Sequence, residues 1–337
     1  MKPQLSKRML SRFSQHITDK KVQASYVIAI KNQLFGNKSL SSAEMHRRQS
    51  EQIGKRIVAS NALKDIDVIV GFVRDLPPLL CKAAREQGIK VIADQIIAPA
   101  RIERSEILGQ YDPGEQPEIS VLQSLDSYEQ WEAETWPLVD HLTCMSEYVR
   151  DGLLQMGIDD NQISVLHYPF DSEQVRFTDR SERHGKMVVG FVGTVCTRKG
   201  VKHFFEVARR LHDCPIRFVM VGPIRASRKL LAARPENVEM IGPVPRSSVA
   251  QYLAMFDVFY FPSCCEGSAG SVVEAMASGL PVVTSRNSGT YARNAIEGWI
   301  APPDDIDQAA SNIQSLLANP KMRLKMGADA RKRVQYF

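Results

Sequence analysis

The chain has 337 residues, 44% of them hydrophobic and 24% charged, with a formal net charge of +5. This is room for two ordinary folded domains, and the composition excludes a disordered or fibrous chain. No apolar run reaches the roughly 18 residues of a membrane span, Met1 to Arg8 lacks the apolar core of a signal peptide, and at this modest charge no nucleic-acid partner is expected.

In chain order, Leu5, Met9, Leu10, Phe13 and Ile17 fall at helical spacing, and Gln23 to Ile30 is rich in β-formers. Residues 1–60 carry twelve Lys/Arg against three acidic residues. Such a basic segment either attracts phosphates or an anionic membrane surface, or is a solvated helix face. Ser42 to Leu63 reads as a helix, Asp67 to Phe72 as a buried strand, Pro77 to Gln87 as a helix stopped by Gly88, and Ile89 to Ala93 as a strand. A long polar helix, Glu118 to Trp136, follows. Next come a strand at His141 to Met145, a helix at Glu147 to Met156 and a strand at Ile163 to His167. This alternation predicts an α/β fold with a parallel sheet covered on both faces.

The pattern stops between Pro169 and Lys186, where the sequence is polar, charged and aperiodic. We read 1–170 as one Rossmann-like domain, 171–186 as a linker and 187–337 as a second. In the second, strands are expected at Met187 to Val192, Ile216 to Val221, Val238 to Ile241, Asp257 to Phe261, Pro281 to Ser285 and Trp299 to Ala301. Helices are expected at Val201 to Leu211, Ser227 to Ala233, Ser247 to Met255, Ser271 to Ser278, Ile306 to Leu317 and Lys321 to Val334. The six cysteines form no CxxC pair, so they read as reduced thiols of a cytoplasmic protein, with Cys264 and Cys265 simply packed.

The second half is organised around FYFPSCCEGSAGSVVEAMASGLPVVTS, Phe259 to Ser285. A strand ends at Pro262 and Ser263. Glu266, Gly267, Ser268, Ala269 and Gly270 form a small-residue loop that opens a helix, with Gly279 at its end. Such a loop lets backbone N–H groups approach an anionic ligand. Glu274 sits among Val272, Val273, Ala275, Met276 and Ala277, so it is expected to be partly buried. It then needs donors, either ligand hydroxyls or a nearby Arg.

This stretch resembles the donor-site signature of retaining GT-B glycosyltransferases of family 4 (glycosyl transferases group 1). Pro262, Ser263, Glu266 and Gly267 match its "PS…EG" segment; Glu274, Ala275, Met276, Ala277, Gly279, Pro281 and Val282 match its second half, and Ser285 closes the strand. The resemblance is specific over residues 140–337, including Ser146 to Ile158, and weaker over 1–139. It implies a GT-B fold, two Rossmann-like domains facing each other across a cleft. It further implies a hexosyltransferase-type enzyme moving a sugar from a nucleotide-sugar donor to a carbohydrate or lipid-linked acceptor, with retention. Glu266 would lie by the transferred sugar and Glu274 by the ribose hydroxyls. No Asp-x-Asp motif occurs, so no metal or other cofactor is expected.

Gly193, Thr194, Arg198 and Lys199 follow a strand and start a helix. Relatives carry an Arg where Thr194 stands; Lys199 matches their diphosphate-binding Lys, and Arg198 either compensates or is a solvated turn residue. Lys199 and Glu266 are the expected catalytic pair in the donor domain. Gly289 matches a loop glycine, whereas the acidic residue that usually follows is replaced by Tyr291 to Asn294. In the first domain, Asp94 and Gln95 stand where many relatives have a catalytic His. Asp94 is therefore the third catalytic candidate, and Arg74, Asp94 and Gln95 are the acceptor-side candidates; the alternative for all three is loop hydrogen bonding.

Two readings from other classes remain: a nucleotide-sugar-binding protein without catalysis, and a GT-B nucleotide-sugar epimerase. The resemblance also implies an opening strand and glycine-rich loop, but Gly36 is the first glycine here. One expectation is therefore an incomplete N-terminus, and a C-terminus short of the helix with which relatives cross back. The other is that Gln23 to Ile30 is the first strand and Leu5 to Ile17 an added basic helix at the inner membrane face.

Overall fold

The computed structural model describes residues 41–112, 117, 119–167 and 175–336. The segments Leu5 to Ile17 and Gln23 to Ile30 lie outside the described residues. Among those described, the first sheet is built from β1 (Val68–Phe72), β2 (Lys90–Gln95), β3 (His141–Cys144) and β4 (Ile163–Val165), in that order and all parallel. Helices α1 (Ser42–Ala59), α2 (Pro78–Glu86), α3 (Ala100–Leu108), α4 (Ile119–Thr135) and α5 (Glu147–Gln155) accompany it.

Local chemistry sets these limits. Ser41 and Glu44 close a capping box at the start of α1. Pro78 opens α2 at a position where its missing N–H costs nothing, and Gly88 follows it with φ +73°. Ser146 caps α5 by accepting from the Val149 amide.

The second sheet runs β10-β9-β8-β5-β6-β7, again all parallel. Its strands are β5 (Met187–Val192), β6 (Ile216–Val221), β7 (Val238–Gly242), β8 (Val258–Phe261), β9 (Val282–Thr284) and β10 (Gly298–Ile300). The helices are α6 (Val201–Arg210), α7 (Arg228–Ala232), α8 (Val249–Met255), α9 (Gly270–Ala277), α10 (Ile306–Ala318) and α11 (Pro320–Gln335). All four residues of β8 are buried, as a central parallel strand covered on both faces requires. Phe191 stacks on Phe261 at 5.1 Å and Phe204 on Tyr260 at 5.4 Å, so aromatic rings fill the space between sheet and helices. The strand order reverses between β5 and β8, and the loops after these two strands are those expected to hold the donor.

Two expectations are corrected. β1 is not a buried strand: Val68, Val70 and Phe72 are exposed, Val70 at 71%. Among the described residues β1 is the outermost strand of its sheet, and these side chains share a face that no described helix buries. Helix α3 follows Pro99 in a stretch to which the sequence reading assigns no element. The second part of the expected linker packs on the second domain: Arg180 is buried and donates to the carbonyls of Leu253, Phe256 and Ser278.

The two domains touch directly. Cys265, from the loop after β8, lies in the apolar core of the first domain beside Cys144 and Tyr148. A Cβ on Gly267 would stand 1.7 Å from the Ile96 carbonyl oxygen, so only glycine permits the backbones to meet there. Ser146 Oγ donates to the Gly267 carbonyl, and Lys202 pairs with Asp112 at 2.8 Å.

Candidate functional site

The loop from Pro262 to Ala269 leaves the buried strand β8 and turns into α9. It is held on both sides. The Cys264 amide donates to the Arg198 carbonyl, and the Glu266 and Ala269 amides donate to the carbonyls of Asn287 and Ser288 on the turn after β9. Ser285 Oγ donates to the Ser263 carbonyl. Backbone hydrogen bonds thus fix the loop from Cys264 to Ala269 before any ligand arrives.

Within that frame the charged residues converge. Glu266 Oε1 receives Lys199 Nζ at 2.6 Å, an Arg198 guanidinium nitrogen at 2.9 Å and Ser263 Oγ at 3.2 Å. Burial by itself would raise the carboxyl's pKa, but Arg198 and Lys199 outweigh it and hold the group below the ordinary carboxylate range. Arg198 also donates to the Cys265 carbonyl at 2.6 Å, and Lys199 Nζ lies 5.1 Å from the centre of the Phe261 ring. These two cations occupy a short turn, Thr197–Lys199, that ends on Gly200. Gly200 has φ +72°, and a Cβ there would fall 1.9 Å from the Pro262 carbonyl oxygen. The glycine therefore lets the cation-bearing turn lie against the carboxylate-bearing loop.

Gly193 and Thr194 follow β5 beside this turn, and a Cβ on Gly193 would stand 3.4 Å from the Lys199 side chain. Ser268 Oγ is buried and has no hydrogen-bond partner among the described residues. An orphaned hydroxyl is costly, and here it sits at the approach to the α9 N-terminus, beside Ala269 and Gly270. Glu274 is buried, as expected, and its two oxygens take both arms of the Arg246 guanidinium, one at 3.0 Å. Arg246 is thus the nearby arginine weighed as a partner for Glu274.

The first-domain candidates separate. Asp94 and Gln95 point to opposite faces of β2, as neighbours in a strand must. Asp94 accepts from Thr143 Oγ1 at 2.9 Å, and burial raises its pKa. Gln95 is buried under α4: its amide donates to Glu132 Oε1 and the Ile97 carbonyl, and its oxygen accepts from Trp136 Nε1. Arg74 bonds Glu132 at 2.9 Å and Glu103 at 3.2 Å, and its guanidinium lies 4.4 Å from the centre of the Tyr128 ring.

Four residues that the sequence reading does not single out join these candidates: Glu103, Glu132, Ser146 and Arg246. Glu103 carries a usable signal. Ala100, Glu103 and Ile107 are the buried positions of α3, so the carboxylate occupies an apolar slot just as Glu274 does in α9.

Residues 186–319 match the family model described as Glycosyl transferases group 1. The amylovoran biosynthesis glycosyltransferase AmsK of Erwinia amylovora is 28% identical over 179 residues, 49% of this chain and 44% of that protein. An N,N'-diacetylbacillosaminyl-diphospho-undecaprenol alpha-1,3-N-acetylgalactosaminyltransferase of Campylobacter jejuni is 33% identical over 152 residues, 43% of this chain and 39% of that protein. The matches thus span less than half of these relatives. Among solved structures, sucrose-phosphate synthase from Thermosynechococcus elongatus superposes with a TM-score of 0.67 at 18% identity, covering 87% of this chain and 75% of that one. HepE from Anabaena, solved with UDP and glucose, gives 0.64 at 15% identity, covering 86% and 77%. The chain therefore has the GT-B fold, and its second domain matches glycosyl transferases group 1 over residues 186–319.

Proposed function

We propose that this chain transfers a sugar from a nucleotide-sugar donor to a carbohydrate or lipid-linked acceptor, with retention of anomeric configuration. The observation that carries the reading is the convergence of Lys199 and Arg198 on Glu266, just ahead of the N-terminus of α9 and at the reversal of strand order. Two cations, loop amides and a helix N-terminus suit a leaving diphosphate. Glu266 then faces the sugar as an oxocarbenium-like centre develops. Ser268 Oγ, without a partner among the described residues, is a hydroxyl ready for the donor. Glu274 accepts from the ribose hydroxyls once Arg246, whose side chain is 74% exposed, swings away. Asp94, raised by burial, is the first-domain candidate for proton exchange with the acceptor. The diphosphate charge is met by side chains and amides, so transfer requires no divalent ion in this reading.

A second reading, donor binding without transfer, is favoured by Thr194 in place of a second Arg and by Asp94 and Gln95 standing where many relatives have a His. No helix among the described residues is long and apolar enough to cross a membrane; a lipid-linked acceptor would be met at a membrane surface.

The test is calorimetric titration with UDP, GDP and ADP, followed by assay of the matching nucleotide sugars for nucleoside diphosphate release with and without EDTA. UDP comes first because HepE was solved with it. Binding with acceptor-dependent release that persists in EDTA supports the full reading. Binding with no release on any acceptor selects the second, and free isomerised nucleotide sugar would point to an epimerase. Absence of binding to all three nucleotides overturns every nucleotide-based reading.

A further inference from the structure

Six charged side chains form a continuous row across the domain boundary: Glu132, Arg74, Glu103, Arg198, Glu266 and Lys199. Arg74 bridges Glu132 and Glu103 at 2.9 and 3.2 Å. Arg198 Nε lies 3.8 Å from Glu103 Oε1, and Arg198 and Lys199 both reach Glu266. The signs alternate along the row. The first-domain half has two carboxylates and one guanidinium; the second-domain half has two cations and one carboxylate. Each half is therefore off balance by one charge, and the two cancel where Glu103 meets Arg198. Glu103 is 8% exposed and Glu132 is 1% exposed, so solvent screens this row poorly.

The links differ in quality. Glu132 accepts from the Ala100 amide, Gln95 and Arg74, so it is fully engaged within the first domain. Arg198 is held to its own domain by the Cys265 carbonyl and Glu266. The contact between Glu103 and Arg198 exceeds hydrogen-bond length and is the one cross-domain link of the row, so it is the link that can part at least cost.

We propose that Glu103 is a positioning residue that stands in for the donor's diphosphate: it neutralises Arg198 across the cleft in the empty protein and is displaced when a nucleoside diphosphate group arrives. The inference rests on the donor reading above. A diphosphate brings at least two negative charges to Arg198 and Lys199. With Glu103 nearby, one of those charges meets a carboxylate that already satisfies the cation. Glu103 therefore lowers intrinsic donor affinity, and it ties occupancy of the site to separation of the first domain from Arg198. By competing for Arg198 while the nucleoside diphosphate product is still bound, Glu103 also favours its release.

The sign of this effect distinguishes competition from support. A side chain that merely shapes the site weakens binding when replaced, whereas an internal competitor strengthens it. The experiment titrates the wild type, Glu103→Gln, Arg198→Gln and the double variant with whichever of UDP, GDP or ADP binds the wild type most tightly. Thermal unfolding confirms that each is folded. Glu103→Gln is expected to bind roughly 3- to 10-fold more tightly, the scale of one partly buried charge pair. Arg198→Gln is expected to bind less tightly, and adding Glu103→Gln to it should restore little, because the cation for which the two anions compete is gone. Should a folded Glu103→Gln bind no tighter than the wild type, or gain equally in the Arg198→Gln background, the proposal is overturned while the donor reading stands. If the wild type binds none of the nucleotides, the donor reading fails and this inference with it.

Discussion

Lys199 Nζ lies 2.6 Å from Glu266 Oε1, although 67 residues separate them in the chain. The pair joins the loop after β5 to the loop after β8, the two neighbouring strands at which the sheet order reverses. Each ion satisfies the other. In the proposed donor reading, a diphosphate recruits Lys199 away from Glu266, and that exchange leaves the carboxylate free to face the sugar.

Lys199→Gln is therefore expected to reduce transfer by roughly 100-fold or more, the scale of removing one group that stabilises developing negative charge. Glu266→Gln should lower kcat more than it lowers donor affinity, since its partner is the reacting sugar. Steady-state kinetics alongside calorimetric donor affinity check both. A Glu266→Gln enzyme with wild-type kcat would remove this residue from the mechanism.

Glu274 is buried against Arg246. Glu274→Ala should weaken donor binding by about 1.5–3 kcal/mol, the worth of a charge-assisted hydrogen bond. Arg246→Ala should not weaken it, because in the proposed reading the arginine stands where the ribose hydroxyls would bind rather than contributing to that site. Equal losses in the two variants would mean that the ion pair only shapes the helix.

Gly267→Ala tests the domain contact. Its new Cβ would meet the Ile96 carbonyl oxygen, so the loop or the first domain must shift. We expect a loss of about 1–3 kcal/mol of stability from overpacking, read as a lower denaturation midpoint in urea. An unchanged midpoint would show that the two backbones separate freely.

His203 on α6 provides a pH prediction. Burial lowers its pKa to about 4 from an ordinary value of 6.5, and both ring nitrogens lack hydrogen-bond partners among the described residues. Between pH 6.5 and 4 the unfolded chain binds a proton that the folded chain refuses. This contribution is therefore complete above pH 6.5 and is lost as pH falls toward 4, by roughly 3 kcal/mol in all. His203→Gln should flatten that part of the stability profile, measured as the urea midpoint from about pH 7 to about pH 4.5. A profile of unchanged slope would assign the acid loss to other groups.

Much of this architecture was written locally. The spacing of apolar residues placed the strands and helices of the second domain within a residue or two of where they lie, because β5, β6 and β8 are largely apolar runs, broken in β6 only by Arg217, that stop at Gly193, Gly222 and Pro262. The buried Glu274 was legible too, as a carboxylate in an apolar helix. Helix α3 was not. It is short, no side chain caps its N-terminus after Pro99, and its buried face includes the charged Glu103, so the apolar period that marks a helix is interrupted. The exposure of β1 was also invisible, because Val68, Val70 and Phe72 read as core until the neighbouring layer is known.

By itself the sequence determined the alternation of strand and helix, the loop that carries Glu266 and the cations placed before α6. Each depends on residues within a few positions of one another, where periodicity, capping and turn chemistry act. Only the tertiary structure decided which charges meet. Glu103 and Arg198 belong to different domains, Arg246 and Glu274 to different elements, and Asp94 and Gln95 are divided by the parity of β2. An ion pair is set by distance in space, and at such separations in the chain that distance is a property of how sheets, helices and domains pack.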